Sequence, residues 1–201
     1  MTKKPIDPET KKTAKSIAKE WAESIVVAAL LAMFVRIFFF EPYKIPTSSM
    51  VPTLLPGDKI FVTKMVYGPR IPLIGFRLPG TKQGPVRGEV IVFIAPEERQ
   101  KAYIKRVIGL PGEKIEVRLG NIYVNGVQIK DPKISKNFYY NAGEYGAEGK
   151  EITVPAESYF VMGDNSASSR DSRYWGFVPH KDVLGKALFI WWPPRRVRNI
   201  N

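Results

Sequence analysis

The residues best suited to covalent chemistry in this chain lie in three short segments. Ile45-Pro46-Thr47-Ser48-Ser49-Met50-Val51-Pro52-Thr53-Leu54 sets a serine pair between two prolines, whose fixed φ holds the backbone on both sides and can present a hydroxyl outward on a rigid turn. Tyr103-Ile104-Lys105-Arg106-Val107-Ile108-Gly109-Leu110-Pro111-Gly112 has the composition of a strand ending in a turn. At period two, Tyr103, Lys105 and Val107 share one face, and Ile104, Arg106 and Ile108 the other. A lysine between Tyr103 and Val107 is open to desolvation. The third segment, Gly163-Asp164-Asn165-Ser166-Ala167-Ser168-Ser169-Arg170-Asp171-Ser172-Arg173, runs on into Tyr174-Trp175-Gly176, and its hydroxyl, amide and carboxylate groups can brace a loop through bonds to the backbone. Each segment also has a plainer reading: a linker, a strand charge snorkelling to water, and a solvated surface loop.

A serine attacks a carbonyl only when a base takes its proton, and a lysine at its ordinary pKa of ~10.4 is charged at neutral pH. Burial can lower that value by up to ~3 to 5 units; reaching about 7 takes roughly 3.4 units, or ~4.6 kcal/mol. Few other catalytic groups are on offer. The chain has no cysteine and one histidine, His180, so a thiol nucleophile, a cysteine cluster for zinc, a multi-histidine metal site and a disulfide framework are all excluded. A Ser-His-Asp arrangement would have to use His180, which sits in Val178-Pro179-His180-Lys181 beside Asp182 and is expected at the surface. No metal and no organic cofactor is expected.

The elements that position these segments fall into two kinds. The N-terminal stretch carries Lys3, Lys4, Lys11, Lys12, Lys15 and Lys19, and the apolar run SIVVAALLAMFVRIFFF follows from Ser24 to Phe40, broken only by Arg36. As a helix this run spans about 25 Å, a short but feasible membrane crossing. A basic arm before an apolar run is also the layout of a cleavable secretory signal, but Phe38-Phe39-Phe40-Glu41-Pro42 offers no small-residue cleavage site. The expectation is an uncleaved anchor with its lysine-rich end in the cytoplasm; the alternative is a buried helix of a soluble protein.

Beyond residue 42, short β-rich runs alternate with turns. Strands are expected at Phe61–Val66, Val90–Ile94, Ala102–Ile108, Lys114–Val117, Asn121–Val124, Glu151–Val154, Tyr159–Met162 and Gly185–Trp192. Asn125-Gly126 marks a tight hairpin turn, and residues 131–150 form a polar excursion. This pattern implies a mainly β, antiparallel barrel-like or sandwich fold. With 31 Lys plus Arg against 19 Asp plus Glu the formal charge is +12, which favours anionic partners, either nucleic acid or an anionic lipid surface.

Taken in order after such an anchor, the three segments, with Arg87-Gly88-Glu89-Val90-Ile91-Val92-Phe93 and the C-terminal Trp-Pro region, resemble the boxes of bacterial type I signal peptidases. These are membrane-bound serine proteases that remove signal peptides from exported preproteins. The resemblance implies a Ser-Lys dyad with Ser49 as nucleophile and Lys105 as general base, acting through an acyl-enzyme. It makes Ser169 the residue that orients the lysine, and gives the oxyanion the Thr47 hydroxyl with the Ser49 N–H. It further implies structural ion pairs of Asp171 with Arg173 and of Asp164 with Arg106. Cleavage after a small residue, of the Ala-X-Ala type, would use one subsite lined by Ile45, Met50, Leu54, Tyr103 and Ile104, and another by Tyr43, Ile45, Ile60, Val92 and Ile104. Ser166 and Ala167 depart from the Arg-Asp of many relatives, and Ala102 from an acidic residue.

The implied organisation is a cytoplasmic basic arm (1–20), a transmembrane anchor (21–41), a catalytic β domain (42–113 and 156–201) and an inserted hairpin or loop subdomain (114–155). That domain would lie on the outer side of the cytoplasmic membrane. The implied partners are preprotein signal peptides and the lipid bilayer, with no nucleic acid. Tyr174-Trp175 and Ile190-Trp191-Trp192-Pro193 suit a membrane interface, with Arg195, Arg196 and Arg198 facing lipid phosphates. Two other readings remain: a Ser-Lys peptidase of restricted duty, such as a maturation protease for one substrate or a self-cleaving regulator of the repressor type, against which the anchor speaks, and a basic nucleic-acid-binding β module.

Overall fold

A computed structural model of the chain describes residues 14–68, 78–81 and 84–200. Most of the basic arm, residues 1–13, lies outside the described residues. Helix α1, Ala14–Phe38, carries the apolar run. Trp21, Ile25, Val26, Val27, Leu30, Leu31, Met33 and Phe34 on it are all exposed. Among the described residues no helix is long and apolar enough to cross a membrane. Glu23 and Arg36 bound a charge-free run of twelve residues, 24–35, about 18 Å of helix against a hydrocarbon core of about 30 Å. The expected transmembrane anchor over 21–41 is therefore not found, and the helix stops at Phe38. Phe40 and Glu41 instead open a strand.

The body, Ile37–Asn201, is a compact unit of its own and is mainly β. Its principal sheet has eight strands: β1 (Phe40–Lys44), β2 (Lys59–Thr63), β3 (Val90–Ile94), β4 (Ala102–Gly109), β9 (Ser158–Met162), β10 (Val178–Pro179), β11 (Val183–Trp192) and β12 (Arg198–Asn199). The order is β1-β2-β11-β3-β4-β9-β10, with β12 added to β11, and every pairing is antiparallel. The path is open, so the expected barrel-like or sandwich fold takes the form of an open antiparallel sheet. Strand β3 (VIVFI) is buried on both faces, as its unbroken β-branched and aromatic run requires. Val90 and Val92 join Ile45, Met50, Leu54, Ile60 and Ile190 on one side, while Ile91 and Phe93 join Val107, Val161 and Val183 on the other.

A second sheet, of four strands in the order β7-β6-β5-β8, comprises β5 (Lys114–Arg118), β6 (Asn121–Val124), β7 (Val127–Gln128) and β8 (Ile152–Thr153). Asn125 and Gly126 both take positive φ, 51° and 78°, the geometry a tight primed hairpin needs. The sheet has its own core of Ile115, Val117, Ile122 and Val124, to which Phe160 and Met162 of β9 also belong. The polar excursion holds a short helix, α2 (Pro132–Ser135), capped by the Asp131 carboxylate on Lys133 N. His180 is half-buried rather than exposed at the surface, with its Nδ1 3.1 Å from the Tyr159 hydroxyl.

Candidate active site

Ser49 lies in a closed loop between β1 and β2. Its neck is tied by Ile45 N to Asp58 O (2.8 Å) and Gly57 N to Ile45 O (2.8 Å), and within it Leu54 N donates to Met50 O (2.8 Å). Met50 and Leu54 are fully buried, so the apolar residues after Ser49 plug into the core and hold the serine in place. On its other side the loop rests on the third segment: Asn165 N donates to Ser49 O (3.0 Å) and Asn165 Nδ2 to Ser48 O (3.2 Å). Gly163 permits this approach. A Cβ there would fall 2.3 Å from Ser169 Oγ and 2.5 Å from Ser49 O, closer than bonded neighbours aside any carbon can sit.

Strand β4 brings Lys105 to the same point. Its Nζ makes a 2.7 Å hydrogen bond to Ser49 Oγ, and Thr47 Oγ1 lies 3.4 Å from Ser49 Oγ. The lysine is 5% exposed and the serine 6%, and the Tyr103 ring centroid lies 5.9 Å from Nζ. Burial is the main cause of a Lys105 pKa lowered from its ordinary value to about 8. The carboxylates of Asp171 and Asp164 oppose that fall, and the Arg173 guanidinium adds to it.

Neither aspartate meets the lysine as a partner, because each is taken by an arginine. Arg106 grips Asp164 through Nε to Oδ1 and Nη2 to Oδ2, both 2.7 Å, with Nη1 on Gly88 O (2.6 Å). Arg173 grips Asp171 through Nε (2.8 Å) and Nη2 (2.9 Å). All four side chains are at most 2% exposed. The ion pairs expected for Asp164 with Arg106 and for Asp171 with Arg173 are thus both present. Planar bidentate pairing uses both oxygens of each carboxylate, which leaves Lys105 with a neutral hydroxyl as its partner. Arg173 Nη1 also reaches Ser166 Oγ (2.7 Å), which accepts from Tyr140 N (2.9 Å), so Ser166 joins the loop to the excursion.

Ser169 Oγ is buried with no hydrogen-bond partner, so it touches neither Lys105 nor Ser49 through a hydrogen bond. Its carbonyl accepts from Arg173 Nη2 (3.1 Å). A cavity of about 590 Å³ opens onto Ser49 and Lys105, lined also by Pro46, Thr47, Ala102, Tyr103, Ile104 and Ser168, with Lys101 and Arg170 as its cationic members. Of the residues expected to line substrate subsites, Tyr103 and Ile104 do line it. Ile45, Met50, Leu54, Ile60 and Val92 are core residues at 0–2% exposure, with Tyr43 packed partly buried against them.

A family model described as signal peptidase, peptidase S26, matches residues 18–192. The chain belongs to that family. Among its relatives, the probable signal peptidase I-2 of a Synechocystis species is 37% identical over 98% of this chain and 85% of its own length. Signal peptidase I T of Bacillus subtilis is 35% identical over 94% of each. A crystal structure of a signal peptidase I from Enterococcus faecalis is 34% identical, covers 51% of this chain and 95% of that one, and superposes with a TM-score of 0.40. The chain is thus a bacterial type I signal peptidase by family, and these are serine peptidases.

Pro46, Lys101, Ala102, Ser168 and Arg170 also line the cavity, none of them expected there from the sequence. Pro46 had a signal, since it flanks the serine loop. Ser168 and Arg170 flank Ser169 in a 3₁₀ turn, Ser166–Ser168, and its exit, a geometry that composition does not specify. Lys101 pairs with Glu98, and Arg170 with Glu97 through Nε (2.7 Å) and Nη2 (2.5 Å); both arginine and lysine are largely exposed, so these pairs are worth little to stability.

Proposed function

We propose that this protein is a membrane-bound endopeptidase that removes signal peptides from exported preproteins, with Ser49 as nucleophile and Lys105 as base. The observation that carries this reading is the 2.7 Å contact between a buried, depressed-pKa lysine and a buried serine hydroxyl. In its neutral form Lys105 accepts along the same line. Ser49 Oγ adds to the scissile carbonyl carbon as its proton passes to Lys105 Nζ. The oxyanion is met by the Ser49 N–H and the Thr47 hydroxyl. Lys105 then protonates the departing amine, the peptide C–N bond breaks, and an acyl-enzyme ester remains. A water deprotonated by Lys105 adds to the ester, and Ser49 leaves with the proton.

The substrate lies extended in the cavity beside Tyr103 and Ile104, and cleavage follows a small residue of the Ala-X-Ala type. Ile45, Met50, Leu54, Ile60 and Val92 are already packed against one another, so they offer a bound peptide only shallow contact, which suits alanine. Ser169 serves to orient Lys105 when substrate is bound, its buried hydroxyl being free to donate.

Helix α1 attaches the enzyme to the cytoplasmic membrane, with the N-terminus in the cytoplasm and the body, including the 114–155 insertion, on the outer side. Support comes from apolar side chains exposed all round the helix and from the lysines that precede it. Glu23 and Arg36 would have to reach the interfaces from their ends of the charge-free run. The decisive experiment incubates the full-length protein in detergent with a preprotein. Wild type should cleave after a small residue, Ser49→Ala and Lys105→Ala should not, and a fully active Lys105→Ala enzyme would refute the assignment.

A further inference from the structure

We infer that the C-terminal segment after β11 is a strap that positions the serine loop, with Arg196 and Arg198 as its fastenings; the inference rests on Ser49 being the nucleophile. The sequence suggests that these arginines face lipid phosphates. In the structure they face the loop that carries Ser49. Arg196 makes a bidentate pair with Asp58, Nε to Oδ1 and Nη2 to Oδ2, both 2.9 Å. Asp58 is 2% exposed and its Oδ2 also accepts from Leu55 N at 2.8 Å, so one carboxylate both braces the last turn of the loop and receives the strap.

Arg198 Nη2 donates to Thr53 O at 2.8 Å and lies 3.5 Å from Pro52 O. The Thr53 hydroxyl in turn donates to Asp164 Oδ2 at 2.5 Å. Thr53 is therefore held from the strap on one side and from the buried Arg106–Asp164 pair on the other. The third fastening is apolar. Ile200, 7% exposed, belongs to the same core cluster as Met50 and Leu54, and its N–H donates to Leu188 O at 2.7 Å. Strand β12 locks the strap to β11 by pairing Arg198 and Asn199 with Ile190 and Phe189.

None of these residues touches the reacting atoms, so each is a positioning residue. Their effect is on where the serine loop lies against β4. A displacement of about 1 Å in a reacting group can cost on the order of 100-fold in rate. A loop that lifts from β4 also admits water to Lys105, whose depressed pKa depends on its exclusion.

The test compares full-length wild type in detergent with Arg196→Met/Arg198→Met, Arg198→Met alone and Arg196→Lys, using a peptide that spans an Ala-X-Ala site. Thermal midpoints are measured in parallel. The double variant should lose about 10- to 100-fold in kcat with a smaller change in KM, and the pH midpoint of its kcat/KM should rise from the wild-type value towards that of an ordinary lysine. Arg196→Lys should recover part of both. If the double variant does not fold, Arg198→Met, which removes only contacts to carbonyls, should show the same direction in smaller measure. Folded variants with wild-type kcat and pH midpoint would overturn the strap, as would loss of activity that follows only the folded fraction. Should wild-type cleavage survive Ser49→Ala, the underlying reading fails instead, and the two failures are told apart by that control.

Discussion

Two lysines flank the same residue of β3. Ile91 is in register with Lys105 on β4 and with Lys186 on β11, and each lysine makes a 2.7 Å contact through Nζ. Lys186 meets the carboxylate of Glu89, which also accepts from the Tyr67 hydroxyl at 2.5 Å. Lys105 meets the hydroxyl of Ser49. Equal distances thus conceal different chemistry: Lys186 sits in an ion pair, whereas Lys105 faces a buried alcohol with no free anion beside it, which favours the amine. The comparison teaches that burial makes the base here, and that Arg106 and Arg173 keep Asp164 and Asp171 from pairing with the lysine and undoing it.

Replacing each lysine with methionine is the strongest way to break the comparison. Lys105→Met should lower preprotein cleavage by up to ~10⁴-fold, the range of a lost general base, while Lys186→Met should keep cleavage within about tenfold. Equal losses in the two variants would show that the lysines differ only in position.

The next test returns a charge to Lys105. Arg173→Met leaves Asp171 buried and unpaired, which costs about 3 to 5 kcal/mol of stability and removes a guanidinium that holds the Lys105 pKa down. Activity of the wild type should rise with pH through a midpoint of about 8, because the base works only when deprotonated. In whatever fraction of Arg173→Met folds, that midpoint should lie higher, as read from the kcat/KM profile.

The same depressed pKa has a cost in stability with a definite sign. Lys105 titrates near 8 in the folded chain against 10.5 when free, so the unfolded state holds a proton that the folded state releases. The penalty, about 3 kcal/mol from a shift of this size, is full below pH 8 and gone above the free value. Lys105→Met should therefore melt higher than wild type at pH 7, with the gap closing as pH rises to 10.5. The smallest expected effect is that of His180→Ala, whose ring meets Tyr159 rather than the dyad: activity should stay within about twofold of wild type, and a fall of several orders of magnitude would restore a histidine base.

Much of this was visible in the chain before folding. Period two placed Lys105 with Tyr103 and Val107, and Val107 is indeed core; the eight strands expected from β-branched runs all appear, with ends moved by up to a few residues. Strand β1 is hidden in the sequence because Phe40 and Glu41 read as the end of the apolar run and Pro42 follows at once, yet β1 is a sheet edge, where proline is tolerated. The two ion pairs followed from family resemblance, not from spacing. The subsite residues show why the rest was hidden: Ile45, Met50 and Leu54 adjoin Ser49 in sequence, and nothing in an apolar side chain says whether it faces a ligand or the core behind it. Arg196 and Arg198 misled for the same reason, since a basic cluster near tryptophans does not say that an aspartate and a carbonyl 138 and 145 residues away will claim it.

The tight packing at Gly163 means that a single hydrogen atom occupies the space where the serine loop and the Asp164–Arg173 loop touch. In a saturating mutational survey this position would rank with the dyad although it has nothing to donate, accept or titrate. Even a methyl group would act there as a wedge between two halves of an otherwise intact machine.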